Sequence, residues 1–270
     1  MTPTDADLQD AWIWELLHRG HRGDKAYYRR ACRGSRAILE LGCGYGRLLP
    51  FLSETGASVV GLERHPGLLA RAAERVAALP PRRAARVSLV EGDMRGPLPL
   101  GPAGPFDRIL IPYNGLFCLL APGEQLACLK AARAVAAPDC HLLLDAYVID
   151  EAALDPSPPG EGAADENEHV LTVLTPEGRV EVYEQNFEAP GQRIDALYTL
   201  ELTDDAGETR TLTQRIGHKF LLPREVEPLL TEAGWRTIGF HGGFRGAKFT
   251  DRSALMVITA ENPGGAPHHP

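Results

Sequence analysis

The 270-residue chain contains no run of about 18 apolar residues, which argues against a membrane-spanning helix. Its N-terminus, MTPTDADLQDAW, lacks a basic stretch followed by an apolar one, so no secretory leader is expected and a cytoplasmic protein is. Cysteine is scarce and unpaired: Cys32, Cys43, Cys118, Cys128 and Cys140 are odd in number and form no C-x-x-C pair. They read as reduced, mostly buried small residues, with neither a disulfide framework nor a metal site. A basic surplus is also missing. With 28 Lys and Arg against 36 Asp and Glu the net charge is −8, the wrong sign for general nucleic-acid binding, which needs cations to neutralise phosphates. No internal repeat is present, and no Tyr-x-x-x-Lys pair or G-x-G-x-x-G turn suggests a dinucleotide-dependent oxidoreductase.

The acidic charge that is present is unevenly spread. Asp150 to Glu208 holds 16 Asp and Glu, and only Arg179, Arg193 and Arg210 are basic between Asp150 and Arg210, leaving −13 there and +5 elsewhere. One basic cluster stands out, His18 to Arg36, with Arg19, Arg22, Lys25, Arg29, Arg30, Arg33 and Arg36. Its arginines fall on several helical faces, which reads as a solvated surface. With 44% hydrophobic residues, the chain can bury one substantial core, or a core and a smaller subdomain.

Hydrophobic periodicity divides the chain further. An N-terminal helical segment is expected over 1–36, with an amphipathic helix from Asp7 to Arg19 and a second one capped by Asp24 and running to Cys32. Strands are expected at Ala37–Leu41, Ser58–Leu62, Arg86–Glu91, Phe106–Ile111 and His141–Asp145. Helices alternate with them at Arg47 to about Glu54, Pro66–Leu79 and Gly123–Ala136. This alternation over 37–150 indicates a doubly wound, mostly parallel α/β sheet, a Rossmann-like core. From 151 to 220 the pattern changes to two-residue alternation, with strands at Glu168–Leu174, Val180–Phe187, Arg193–Thr203 and Thr209–Phe220. Turn signals at Pro176-Glu-Gly and Asp205-Ala-Gly join them into an antiparallel β cap inserted after strand five, where it should lie over the carboxyl edge of the sheet. The α/β core ends over 221–261 with a helix at Pro223–Ala233 and strands at Trp235–Phe240 and Ser253–Thr259, giving seven strands. Asp155–Gly162 reads as a flexible loop and 262–270 as a disordered tail.

The most informative segment is Ala37-Ile-Leu-Glu-Leu-Gly-Cys-Gly-Tyr-Gly-Arg-Leu48, followed by Val59-Val-Gly-Leu-Glu63. An apolar strand enters three glycines at alternate positions, and a second strand ends on a carboxylate 21 residues after the first glycine. Glycines let the backbone turn tightly and approach a flat nucleoside. An acidic strand tip is placed to accept hydrogen bonds from ribose hydroxyls. Glu40, two residues before Gly42, would repel a pyrophosphate but suits an ammonium or sulfonium cation.

On these residues the chain resembles the class I S-adenosylmethionine-dependent methyltransferases, whose first motif is E/D-x-G-x-G-x-G. The resemblance implies that Gly42 and Gly44 line the methionine part of S-adenosylmethionine, that Glu40 lies near its amino group, and that Glu63 holds the ribose. In Val90-Glu-Gly-Asp-Met-Arg95 it implies that Asp93 accepts from the adenine amino group beside Met94. Cys43, Arg64 and Tyr113 complete the expected cofactor contacts, and the product would be S-adenosylhomocysteine.

The segment after strand four, Ile111-Pro-Tyr-Asn114, departs from the N-P-P-Y of adenine and glutamine methyltransferases. It looks more like the small-molecule branch of glycine and amino-sugar N-methyltransferases. In that likeness Tyr28, Tyr113 and Asn114 sit near the transferring methyl group. The expected partner is a small-molecule acceptor, methylated more readily at an amine nitrogen, with neither nucleic acid nor membrane as partner. An oxygen acceptor would need a base, for which His218 and His241 are candidates. O-methylation, or a non-catalytic cofactor-binding protein on the same fold, are the alternatives. The sequence leaves the acceptor and the oligomeric state open.

Overall fold

The computed structural model describes residues 2–151, 167–176 and 178–264, and these fall into two compact units, Met1–Val148 with Leu222–Pro270, and Ile149–Leu221. No described helix is long and apolar enough to cross a membrane.

The first unit is built on a seven-stranded sheet of order β10-β11-β5-β4-β1-β2-β3. Its strands are β1 (Ala37–Leu41), β2 (Ser58–Glu63), β3 (Val87–Glu91), β4 (Phe106–Ile111), β5 (Ala136–Tyr147), β10 (Arg236–His241) and β11 (Leu255–Glu261). Parallel pairs link β3, β2, β1, β4 and β5 in that spatial order, and β11 runs antiparallel to both β5 and β10. The chain order reverses between β1 and β4, so the crevice beyond their carboxyl ends is where a ligand binds in such sheets. The central strands are buried on both faces: Ile38, Leu39, Leu41, Ile109, Leu110 and Ile111 have no exposed surface. Continuous apolar runs of this kind are what a sheet covered by helices on both sides requires.

Six helices of this unit have counterparts in the sequence pattern: α1 (Asp5–Leu17), α2 (Asp24–Ala31), α3 (Leu49–Ser53), α4 (Pro66–Ala77), α6 (Glu124–Ala134) and α7 (Pro223–Glu232), with a short α5 (Pro81–Ala84) beside them. Thr4 and Asp7 cap α1 reciprocally. Three expectations are corrected. Asp24 does not cap α2: Gly23, at φ 94°, takes the N-cap position, and Asp24 is the buried first residue of the helix. The helix before β5 stops at Ala134, because Val135 turns to receive the Phe106 N–H and Ala136 already pairs with Phe106. Asn262 is not part of a disordered tail. It is buried, its amide donates to the Ala137 carbonyl at 2.8 Å, and its backbone N–H donates to that of Cys140. The remainder of the expected tail from 265, Glu177 of the first turn signal and the Asp155–Gly162 loop lie outside the described residues.

The second unit is a four-stranded antiparallel sheet in chain order, β6 (Glu168–Thr175), β7 (Gly178–Ala189), β8 (Arg193–Thr203) and β9 (Thr209–Lys219). Val180, Val182, Leu200, Leu202 and Ile216 are its buried apolar positions, two-residue alternation turned into one apolar face. Gly178, at φ 131°, has no room for a Cβ, which would strike the Thr203 carbonyl.

Candidate active site

The turn after β1 carries three glycines in the left-handed region, Gly42 at φ 67°, Gly44 at φ 55° and Gly46 at φ 77°. A Cβ on Gly46 would press on Ala72 of α4, so this glycine serves packing. Gly42 and Gly44 are open by comparison. A Cβ there would lie 3.7 Å from Met94 Sδ and 3.9 Å from Trp14 Nε1, so these two glycines leave a cradle walled by Met94 and Trp14. Gly61 on β2 leaves space of another sort. Its missing Cβ admits the Cys43 side chain, which is buried and serves as filler; burial holds its thiol well above the ordinary range.

Three carboxylates surround this turn. Glu63, at the tip of β2, is held by backbone donors. Its Oε2 accepts the Gly44 N–H at 3.0 Å, and its Oε1 accepts the N–H groups of Arg64 and His65 at 2.9 and 2.8 Å. It thereby fixes both the glycine turn and the chain leaving β2. Asp93, after β3, accepts from the backbone and guanidinium of Arg95 at 2.5–2.9 Å, and Arg64 stands 3.9 Å away. Arg95 also reaches Glu124 on α6 at 2.5 Å. Those donors hold the Asp93 carboxyl below its ordinary value.

Glu40 differs. It is 2% exposed on β1, and its Oε2 is buried with no hydrogen-bond partner. Burial pushes its pKa up to about 8, only partly offset by Arg47. A carboxylate deprived of both water and donors costs several kcal/mol unless a cation completes the site. The orphaned oxygen beside a glycine cradle fits the cationic ammonium and sulfonium groups of S-adenosylmethionine.

A second group of side chains gathers where β4 and β5 end. Tyr113 and Asn114 are consecutive non-glycine residues at positive φ, 51° and 60°, a strained geometry of the kind that clusters at functional sites. Asp145 on β5 holds them: its Oδ1 accepts the Tyr113 N–H at 3.0 Å, and its carbonyl accepts that of Asn114. The Asn114 side chain in turn accepts the Tyr147 N–H at 2.8 Å. Asp145 is buried, which raises its pKa to about 6 against the pull of its hydrogen bonds, and its Oδ2 has no hydrogen-bond partner.

Tyr28 is corrected here. It is wholly buried in the core, and its hydroxyl donates to Asp145 Oδ1 at 2.5 Å, so it supports the site from behind and does not face an acceptor. Tyr113 remains at the rim, 5.5 Å below the Arg47 guanidinium, which is itself paired with Asp24 at 2.6 Å.

His21, between α1 and α2, was not singled out by any motif. Its ring lies 4.7 Å from that of Tyr113 and 6.0 Å from that of Phe244, and its Nε2 is 3.9 Å from Asp145 Oδ2. The signal in the sequence is Gly20 and Gly23, which bracket it at φ 83° and 94°. A Cβ on Gly20 would collide with Arg47 and Asp24. His218 lies in the second unit, on β9 opposite Ile194; burial lowers its pKa to about 4, leaving it neutral at pH 7. The exposed side chains of Arg29, Arg30, Arg33 and Arg36 fit the solvated surface expected of the basic cluster.

Residues 38–139 match a family model described as a methyltransferase domain. Among solved structures, the chain is similar to the CcbJ methyltransferase from Streptomyces caelestis, at 25% identity over 90% of either chain with a TM-score of 0.70. It shares the fold of an S-adenosylmethionine-dependent methyltransferase from Clostridium acetobutylicum, at 14% identity over 96% of this chain and 98% of that one, TM-score 0.72. It also shares that of CalS10 bound to S-adenosylmethionine, an amino pentose methyltransferase from Micromonospora echinaspora involved in calicheamicin biosynthesis. That identity is 22% over 94% of this chain and 95% of that one, TM-score 0.67. No curated protein matches the chain.

Proposed function

We propose that this chain, an S-adenosylmethionine-dependent methyltransferase of the small-molecule type, moves the methyl group to an amine nitrogen. The observation that carries the nitrogen reading is Asp145. Its buried Oδ2 makes no hydrogen bond beside the strained Tyr113–Asn114 turn, and an acidic oxygen there suits a cationic amine better than a neutral hydroxyl. The net charge of −8 favours encounter with a cationic acceptor. The amino pentose acceptor named for CalS10 is of the same chemistry.

Glu40, Gly42, Gly44, Glu63, Asp93 and Met94 would hold the cofactor: Glu40 its ammonium end, Glu63 the ribose, Asp93 the adenine amino group. When bound, it supplies a methyl carbon that the acceptor nitrogen attacks in line, the carbon–sulfur electron pair remaining on sulfur. The chain's own contribution is positioning and exclusion of water, worth roughly 7–11 kcal/mol when two reactants are well oriented. Tyr28 and Asp145 fix the backbone at Tyr113, so the wall of the acceptor site is set by three hydrogen bonds and not by a flexible loop.

Labelled methyl transfer to matched panels of aminopentosides, aminohexosides and the corresponding hydroxyl sugars tests the reading. Turnover of the amines with the hydroxyl compounds left unmethylated is expected. Methylation of the hydroxyl members alone would refute the nitrogen assignment and leave an O-methyltransferase.

A further inference from the structure

His21 is absent from the glycine motif and the acidic loop, yet its ring stands against the buried carboxylate of Asp145. We propose that His21 and Asp145 form a two-acceptor clamp for the nitrogen that is methylated, with His21 Nε2 taking the proton which that nitrogen sheds. This deepens the amine reading above and rests on it.

The geometry is specific. Nε2 and Oδ2 are 3.9 Å apart, too far to bond one another, and both are buried without a hydrogen-bond partner. Two acceptors at that separation can each receive one N–H of a single nitrogen lying about 2.9 Å from both. A hydroxyl has one hydrogen and can satisfy only one of them. The Tyr113 ring lies beside that of His21, 4.7 Å away.

The groups facing His21 set its charge. Asp24 on α2 favours the imidazolium, Arg47 at the end of the glycine turn opposes it, and burial opposes it most, so the ring is held below its ordinary value and is neutral at pH 7. Asp145 faces it from β5 at 3.9 Å, and Tyr113 and Phe244 close the remaining sides with aromatic rings. In the Nδ1–H tautomer, Nε2 presents a lone pair. An incoming ammonium gives up one N–H: that bond breaks with its electrons remaining on nitrogen, a new N–H forms at Nε2, and Asp145 balances the imidazolium. The freed lone pair becomes the nucleophile once the neutral amine has turned it from the new Nε2–H towards the methyl carbon, a remaining N–H staying on Asp145 Oδ2. His21 touches the reacting atom in this arrangement, whereas Tyr28 acts through Asp145 and is a positioning residue.

The test is His21→Gln, with S-adenosylhomocysteine affinity as the check on folding. On an aminopentoside, kcat/KM is expected to fall about 10- to 100-fold at pH 7. The deficit should shrink towards about pH 9, near the range where a simple amine begins to arrive neutral. On a hydroxyl sugar the deficit would persist at that pH, so failure of the nitrogen reading is told apart from failure of the clamp. A profile identical to that of the unsubstituted protein overturns the clamp. A second readout needs no acceptor: the nitrogen-15 histidine spectrum of the protein bound to S-adenosylhomocysteine, with the His21 signal assigned by its loss in His21→Gln. Asp145→Asn should move its titration further down, since the carboxylate that favours the imidazolium is gone. An unmoved midpoint would show that the two groups do not act together.

Discussion

Replacing Glu63 with alanine should raise the dissociation constant for S-adenosylhomocysteine about 10- to 150-fold, the equivalent of roughly 1.5–3 kcal/mol for hydrogen bonds to a charged group. Two losses add. The ribose loses its acceptor, and the N–H groups of Gly44, Arg64 and His65 lose the carboxylate that fixes the turn. Asp93→Ala should weaken binding less, because Asp93 lies on a more open loop and is engaged by Arg95 alone at hydrogen-bond distance. Calorimetric titration of both variants separates the roles. Unchanged affinity in Glu63→Ala would refute the ribose assignment, and unchanged affinity in Asp93→Ala would refute that of the adenine.

Stability should respond most to Arg47→Met. Arg47 and Asp24 form an ion pair at 2.6 Å with side chains 9% and 3% exposed. Removing one partner of a buried pair leaves the other charge without a counterion, which typically costs about 3–5 kcal/mol. The backbone N–H groups of His21 and Lys25 still donate to Asp24, so the lower end of that range applies here. For a chain of this size each kcal/mol lowers Tm by roughly 2–4 °C, so a fall of about 10 °C is expected. The double variant Arg47→Met, Asp24→Asn should recover much of it, because neither charge is then buried. Equal Tm values for the single and double variants would mean that the pair contributes by packing alone.

The residues proposed for the cofactor half of the site can be named from the sequence because they are written in short segments. Glu40 and Glu63 lie on two adjacent strands and the glycines on the turn that leaves the first, so strand–turn–helix geometry brings them to one end of the sheet. The sheet topology was legible for a similar reason, since parallel strands joined by helices leave few arrangements. The acceptor half was not. Tyr28 and Asp145 are 117 residues apart, and Arg47 and Asp24 are 23 apart. Nothing in the local pattern says that these groups meet. The basic cluster concealed the inward-facing residues: from the same stretch Arg29, Arg30 and Arg33 point to solvent while His21, Asp24 and Tyr28 turn in. Tyr28 was expected at the methyl group because a tyrosine near the N-terminus suggested it. Burial in the core, with its hydroxyl spent on Asp145, moves its contribution one contact back.

Glu40 links the cofactor site to pH. Its folded pKa of about 8 stands above the usual 4.5, so between these values the folded chain holds a proton that the unfolded chain has lost. In that window the ligand-free protein loses stability as pH rises. A cation bound at Oε2 reverses the preference by favouring the ionised carboxylate. The most direct test of the account is calorimetric titration at pH 7 with S-adenosylhomocysteine, repeated in two buffers of different ionisation heat, with NAD as the control. The account predicts binding of S-adenosylhomocysteine with release of about one proton, no binding of NAD, and loss of the proton release in Glu40→Gln. Absence of binding, or binding that leaves the proton count unchanged, would contradict the placing of the cofactor's cationic end at Glu40.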